Sequence, residues 1–465
     1  MNFVIVLAAL VFLMFVAYRG YSVILFAPVA ALGAVLLTDP TLVAPMFTGL
    51  FMERMTGFLK LYLPVFLLGA VFGKVMEQSG FAKSIVTSVI NLVGRKHAIF
   101  STVAVCALLT YGGVSLFVVV FAVYPIAAEI FRQSDIPKRL IPATIALGAF
   151  TFTMDSLPGT PQIQNIIPIP FFRTNIYAAP WLGSIGAVFI LVTGLIYLHW
   201  RCRRAAATGE GYGVGALLEP EPFAGGQLAN PFIAILPLIL VGVMNKVFTV
   251  AIPKLYGEAH SFIPAVVGQT APVTQEISKV AAIWAVEGAL LTGILSVIVF
   301  AWKPIVAKFA EGSKSAIAGA LLASANTASE YGFGAVIAAL PGFLVVADAL
   351  KAIPHPLINE AITVTSLAGI TGSASGGLSI ALAAMAETFL QNAHAAGIPP
   401  EVLHRIASMA SGGMDTLPHN GAVITLFTVT GLTHRQSYGD IFVITCLKTT
   451  AVFVVIAVYH FTGLV

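Results

Sequence analysis

Charge is what this sequence has least of. Only 9% of its 465 residues are Asp, Glu, Lys or Arg, against roughly 25% in a soluble domain, so most of the chain has no means of building a water-facing surface. Cysteine is scarce too. Cys106, Cys202 and Cys446 stand far apart with no CxxC pair, which suggests neither a metal site nor a disulfide framework and leaves small apolar fillers. The formal charge of +4 is scattered, and no basic run interleaved with aromatics gives a nucleic acid a footing. There is no HExxH, no GxSxG and no histidine-rich cluster, so an intramembrane enzyme is disfavoured and no cofactor or metal is called for. The short alternating segments of a transmembrane barrel are missing as well.

What is present is apolar. Hydrophobic residues make up 58% of the chain, the mean hydropathy is +0.94, and runs long enough to cross about 30 Å of hydrocarbon recur throughout. The expected fold class is an all-α polytopic membrane protein. Spans are predicted at about 2–18, 22–38, 58–77 and 178–200, and again at about 230–250, 279–301, 316–341 and 440–462. The first run lacks a basic flank and a small-residue cleavage site and is read as a span rather than a signal peptide.

Two kinds of interruption break this pattern, each occurring twice. "YGGVS" at Tyr111 to Ser115 and "SASGGLS" at Ser373 to Ser379 sit between apolar arms too short to cross, and predict re-entrant hairpins at about 98–131 and 361–391. "MDSLPGTPQ" (Met154 to Gln162) and "MDTLPHNGA" (Met414 to Ala422) predict broken helices at about 140–172 and 402–431. Irregular backbone at membrane depth is tolerated only where protein or a cavity covers it. The matches fall in order at an offset of about 260 residues, and "DIPKRLI" pairs with "GIPPEVLHRI" at the same offset. The chain therefore divides into repeats at 1–200 and 230–465 around a linker at 201–229. Each repeat has five crossings, an odd number, so the two are inverted, giving about ten transmembrane helices in all. Lys and Arg concentrate on the side of the linker that carries Arg201, Arg203 and Arg204, with Arg54, Lys254 and Arg405 among the minority opposite. The positive-inside rule then makes the linker cytoplasmic and both termini periplasmic.

Inverted repeats with hairpins and broken helices are how secondary transporters build a site near the midplane. Candidate substrate-binding residues are Gly112, Gly113 and Ser115 at the first tip and Ser375, Gly376, Gly377 and Ser379 at the second. Ser156, Thr160 and Gln162 at the first break, and Thr416, His419 and Asn420 at the second, complete the set. Ser115, Thr160 and Asn420 are placed as helix caps, with Ser373, Ser375 and Ser379 all offered for that role at the second tip, and four converging helix N-termini favour an anionic substrate such as a carboxylate. Uptake of an anion works against a negative-inside potential and needs a coupling cation. Asp155 and Asp415 are the candidates, either by exchanging a proton or by joining freed carbonyls around sodium, and each also admits a purely structural reading beside its proline. Gln164 and Asn165 are read as hydrogen-bonding a hydroxylated substrate or as a polar helix face. Asn326, Thr327 and Glu330 lie inside the span before the second hairpin, where buried polar groups are expensive, and helix–helix hydrogen bonding accounts for the first two nearly as well. Glu287 is read as interhelical glue. A channel is disfavoured because it needs no coupling carboxylates.

These segments resemble a known family. "GRKHAIFSTVAV", "GGVS", "MDSLPGTPQIQN" and "SGGMDTLPHNGAVITLFTVTGLTHRQSY" are similar to the gluconate:proton symporter family of the ion transporter superfamily, most of all to its D-beta-hydroxybutyrate permease branch. The likeness runs across most of the chain. It implies proton-coupled uptake of a small hydroxy-carboxylate across a bacterial inner membrane, by a dimer whose transport region moves as an elevator. Gluconate permeases carry a histidine- and proline-rich first break, whereas "MDSLPGTPQ" stands here, which favours a shorter hydroxy acid. The tips also lack the Ser-Asn-Thr pattern of sodium-coupled dicarboxylate relatives. The resemblance carries over to Ser115, Asp155, Ser379 and Asp415 with their flanking tip residues.

Overall fold

A computed structural model describes residues 2–19, 21–93, 97–114, 116–213, 228–263, 272–343, 345, 353–371, 373–418 and 420–465. Nearly every described element is a helix. In chain order they are α1 (Asn2–Tyr18), α2 (Val23–Thr38), α3 (Pro40–Gln78), α4 (Phe81–Val93), α5 (Ala98–Tyr111), α6 (Leu116–Gln133) and α7 (Ile141–Ala149). Short turns at Phe152–Asp155, Ile163–Ile166 and Ile169–Phe172 lead to α8 (Pro180–Ala207). The second series is α9 (Pro231–Tyr256), α10 (Ile277–Phe300), α11 (Trp302–Ala338), α12 (Pro356–Thr371), α13 (Ala374–Ala395), α14 (Pro400–Gly412), α15 (Gly421–Thr430) and α16 (His434–Thr462).

The helix ends follow local chemistry. Proline opens α8, α9 and α14, where its missing N–H costs nothing. Asn230 accepts from Phe232 N at the start of α9, Thr433 and Gln436 form a capping box on α16, and left-handed glycines close α15 and α16. Five helices among the described residues are long and apolar enough to cross a membrane: α3, α8, α9, α10 within Lys279–Phe300, and α16. Their exposed surface is greasy, with Trp181, Ile196, Phe232 and Val299 all well exposed, as a lipid-facing surface requires.

Four features depart from the sequence reading, one being that α11 starts at Trp302 rather than near 316, because Lys303, Lys308, Glu311 and Lys314 interrupt its apolar run. α4 was not anticipated; its strongly one-sided apolar pattern over a short length gives no long hydrophobic run. α3 begins at Pro40 rather than near 58, through a π-helical segment Met46–Phe51, because Glu53, Arg54 and Lys60 interrupt its apolar run. Finally, the chain is not wholly helical. Ala259–Phe262 pairs antiparallel with Val273–Glu276, Ala259 opposite Glu276, as an almost fully exposed ribbon.

Packing sorts the helices into two groups. α3 lies against α10 and α11, α9 against α10, and α2 against α11. The other group is built on α5 against α7, α12 and α13 against α14, and α8 against α16, with α16 also touching α7 and α14. α13 bridges the groups by packing on α11. The interrupted segments lie inside the second group.

Candidate functional site

After α7 the backbone leaves the helix at Phe150 and does not form a long helix again before Pro180. Carbonyls freed in that stretch need donors, and side chains from 400–448 supply them. Arg405, fully buried, donates from Nη1 to Asp155 O at 2.6 Å and to Asn165 Oδ1 at 3.0 Å, and from Nη2 to Ala178 O at 2.8 Å. Ser408 Oγ also donates to Asp155 O, at 3.1 Å. Lys448 Nζ donates to Phe150 O at 3.0 Å and to Gly412 O at 2.6 Å, so one ammonium serves the last turn before each interruption.

The third donor of that ammonium meets Asp155 Oδ2 at 2.6 Å, with both side chains buried. Ser156 Oγ donates to the other oxygen, Oδ1, at 2.7 Å. The pair sits under Gly412, where a Cβ would collide with Asp155 Oδ2 and Lys448 Nζ; glycine is what lets α14 approach.

Asp415 lives differently. Gln164 Nε2 donates to its Oδ2 at 2.6 Å, while Ala374 N, the first amide of α13, and Asn420 Nδ2 reach its Oδ1 at 3.3 and 3.5 Å. It is 7% exposed, and among the described residues no cation forms an ion pair with it. Two aspartates that look equivalent in sequence are thus unlike: one is neutralised by a lysine, the other is held by neutral donors from both halves of the chain.

Several expected residues are occupied by the protein itself. Thr160 does not cap the helix after it; its hydroxyl donates to Thr153 O at 2.7 Å, and the short Ile163–Ile166 turn has no side-chain cap. Gln162 donates to Thr110 O at 2.7 Å and ties the break to the α5–α6 tip, where Gly113 turns with φ +94 and Gly112 packs on Leu238. Asn165 is fully used by Arg405, His404, Thr160 O and Ile176 O. Thr416 bonds Thr445 at 2.6 Å, and Ser379 donates to Ser375 O at 2.7 Å. Gly376 lies against the Glu330 carboxylate and Gly377 against the Ala368 backbone. The caps predicted at Ser373 and Asn420 are present, accepting from Gly376 N at 3.1 Å and Ala422 N at 2.7 Å. Ser115 and His419 lie outside the described residues.

Sequence reasoning missed Lys448 and misplaced Arg405. It counted Arg405 as a loop charge, whereas the side chain is buried and lies in the interior. Lys448 stands within the apolar stretch Ile441–Val458 of the 29-residue α16, and the rule that an ionisable residue in a span marks a site points straight at it. A cavity of about 370 Å³ opens nearby between α3, Ile169–Phe172 and α11, with Glu53, Arg54, Tyr62, Phe171 and Tyr331 in its wall.

Apolar spanning helices around a buried polar centre of charged side chains fit a multi-pass membrane protein of the transporter class. No family model matches the chain. It is 58% identical, over 474 aligned residues covering all of both chains, to a Bacillus subtilis (strain 168) protein named uncharacterized transporter YxjC. The chain belongs to that transporter family. It also resembles the Alcanivorax borkumensis YdaH transporter, whose crystal structure is described as having an unusual topology, with a TM-score of 0.47 at 15% identity, covering 92% of this chain and 90% of that one; so loose a likeness adds nothing further.

Proposed function

We propose that this transporter imports a small hydroxy-monocarboxylate, 3-hydroxybutyrate or a near relative, together with protons, on the D-beta-hydroxybutyrate permease branch of the gluconate:proton symporter family. In this reading it is a homodimer in a bacterial inner membrane, with both termini periplasmic and the substrate site between two inverted repeats. The order of elements supports the repeat. A helical hairpin (α5–α6, then α12–α13), an interrupted helix (α7 onward, then α14–α15) and a long final helix (α8, then α16) follow one another twice.

The coupling rests on one observation: Asp415 occupies donors that suit an incoming carboxylate and has no cation of its own. The N-terminus of α13 and the Gln164 amide favour an anion. A substrate carboxylate reaching them meets Asp415 already there, and two anions cannot share the same few donors in a dry interior. The aspartate takes a proton, yields its donors, and the substrate enters with that proton beside it. A lone anion entering the cell would work against about 2.3 kcal/mol per 100 mV; the accompanying proton cancels that term. Asp155 stays ionised against Lys448 and holds the two interruptions together.

The test is uptake of labelled 3-hydroxybutyrate by proteoliposomes under an imposed pH gradient without sodium. Accumulation blocked by unlabelled 3-hydroxybutyrate and not by gluconate is expected. Uptake only with sodium, or competition only by citrate or succinate, overturns the reading in favour of a sodium-coupled di- or tricarboxylate carrier.

A further inference from the structure

α11 carries a polar face that the coupling above does not use. In "SANTASEYGFG", Asn326, Thr327 and Glu330 stand three and four residues apart, the spacing that puts side chains on one helix face. That face meets the tip of the second hairpin. Thr327 Oγ1 lies 3.4 Å from Ser375 Oγ, which lies 3.4 Å from Ser373 Oγ. The Glu330 carboxylate rests against Gly376 so closely that a Cβ there would strike it.

Glu330 is 4% exposed, and among the described residues its Oε2 has no hydrogen-bond partner and neither has Asn326 Oδ1. Charged and titratable groups on the elements packed around α11 do not answer it. Arg54 of α3 bonds Tyr331, Glu53 lines the neighbouring cavity, and Tyr62 donates to Ile167 O. Glu387 of α13 is exposed, and Lys279 of α10 pairs with Glu276. Glu287 of α10 is an acid itself and offers no counter-charge. An ionised carboxylate left without a partner in such surroundings costs several kcal/mol. A proton on Glu330 removes that unpaired charge.

We propose that Glu330 is a second proton-binding group, separate from Asp415, which holds its proton while the tip of the second hairpin is seated on α11 and releases it when the tip leaves. Seated and charged, the carboxylate would be an unpaired anion pressed on Gly376; moved into water, it ionises freely. The inference rests on the proton-coupled reading and adds a second proton to each transport cycle.

The experiment compares wild type with Glu330→Gln in proteoliposomes, using 3-hydroxybutyrate as probe and measuring both equilibrium exchange and the proton-to-substrate ratio from reversal potentials. The amide keeps the shape of the protonated acid and has no proton to release. Exchange near the wild-type rate with one proton fewer per substrate is expected. An unchanged ratio in a variant that still accumulates substrate overturns this inference alone, and loss of exchange overturns it by making Glu330 structural. A wild-type flux indifferent to pH takes the coupling reading down with it. Infrared spectroscopy of the purified full chain decides independently of transport. A carboxylic-acid band at neutral pH should vanish in Glu330→Gln, shift in Glu330→Asp and persist in Asp415→Asn; a spectrum unchanged by both Glu330 substitutions overturns the proposal.

Discussion

Lys448 has three donors and spends them on Phe150 O, Gly412 O and the Asp155 carboxylate. Replacing it by methionine strands a buried aspartate, and breaking a buried pair from one side costs about 3–5 kcal/mol. Thermal unfolding of the purified protein should register that loss in Lys448→Met. The double variant with Asp155→Asn should recover part of it, since no lone charge remains. A single variant as stable as wild type would mean that the pair does not hold the interruptions. Asp415 makes the opposite prediction. Asp415→Asn keeps the shape and removes the proton, so pH-driven accumulation should fall to the background while exchange of labelled for unlabelled 3-hydroxybutyrate continues. Accumulation equal to wild type would return Asp415 to a structural cap. None of this difference between the aspartates is legible in "MDSLPG" and "MDTLPH", which read alike. It comes from partners 293 and 251 residues away, Lys448 for Asp155 and Gln164 for Asp415, and a single chain gives no sign of contacts at such separations.

Among the elements, what could be read ahead was whatever local chemistry dictates. Prolines and glycines in "MDSLPGTPQ" and "SASGGLS" announce interruptions because they remove a donor or a side chain. The caps at Ser373 and Asn420 follow from residue type alone. α4 and the exposed ribbon were hidden because neither makes a long apolar run. A polar cluster also joins three elements at one end of the molecule. Asp440, on α16, accepts from Arg139 Nη1 at 2.9 Å, Arg201 Nε at 2.5 Å and Tyr197 OH at 2.7 Å. Asp440→Asn leaves two arginines without their carboxylate and should destabilise the protein by roughly 1.5–3 kcal/mol, read as a lower unfolding temperature. Arg139 also grips Glu210 through two hydrogen bonds, Nε to Oε1 at 2.5 Å and Nη2 to Oε2 at 2.8 Å, and holds the Glu210 carboxyl below its ordinary 4.5. A folded value below the unfolded one gives stability that is present above the ordinary value and is lost as pH falls through the folded value. Protection of the amides across 208–213, that is, exchange corrected for its intrinsic pH dependence, should therefore fall on acidification below about pH 4 and stay constant above it; equal protection at both would show that the grip contributes nothing.

At the scale of the molecule, two groups of helices meet along an extensive seam of α13 on α11, with α4 packed against both α9 and α5. The interruptions, the buried cations and both aspartates belong to one group, while Glu330 stands on the other and rests against Gly376 of α13. Thr327 Oγ1 and Ser375 Oγ meet in the same seam at 3.4 Å, and Gly334 of α11 lies against Ile380 of α13. Because one nitrogen atom contacts carbonyls at both interruptions, pulling them apart would strip a buried ammonium of at least one of its three partners. Lys448 is therefore a rivet: it fastens the end of α7 to the end of α14, so that the two interruptions are held to each other through a single side chain.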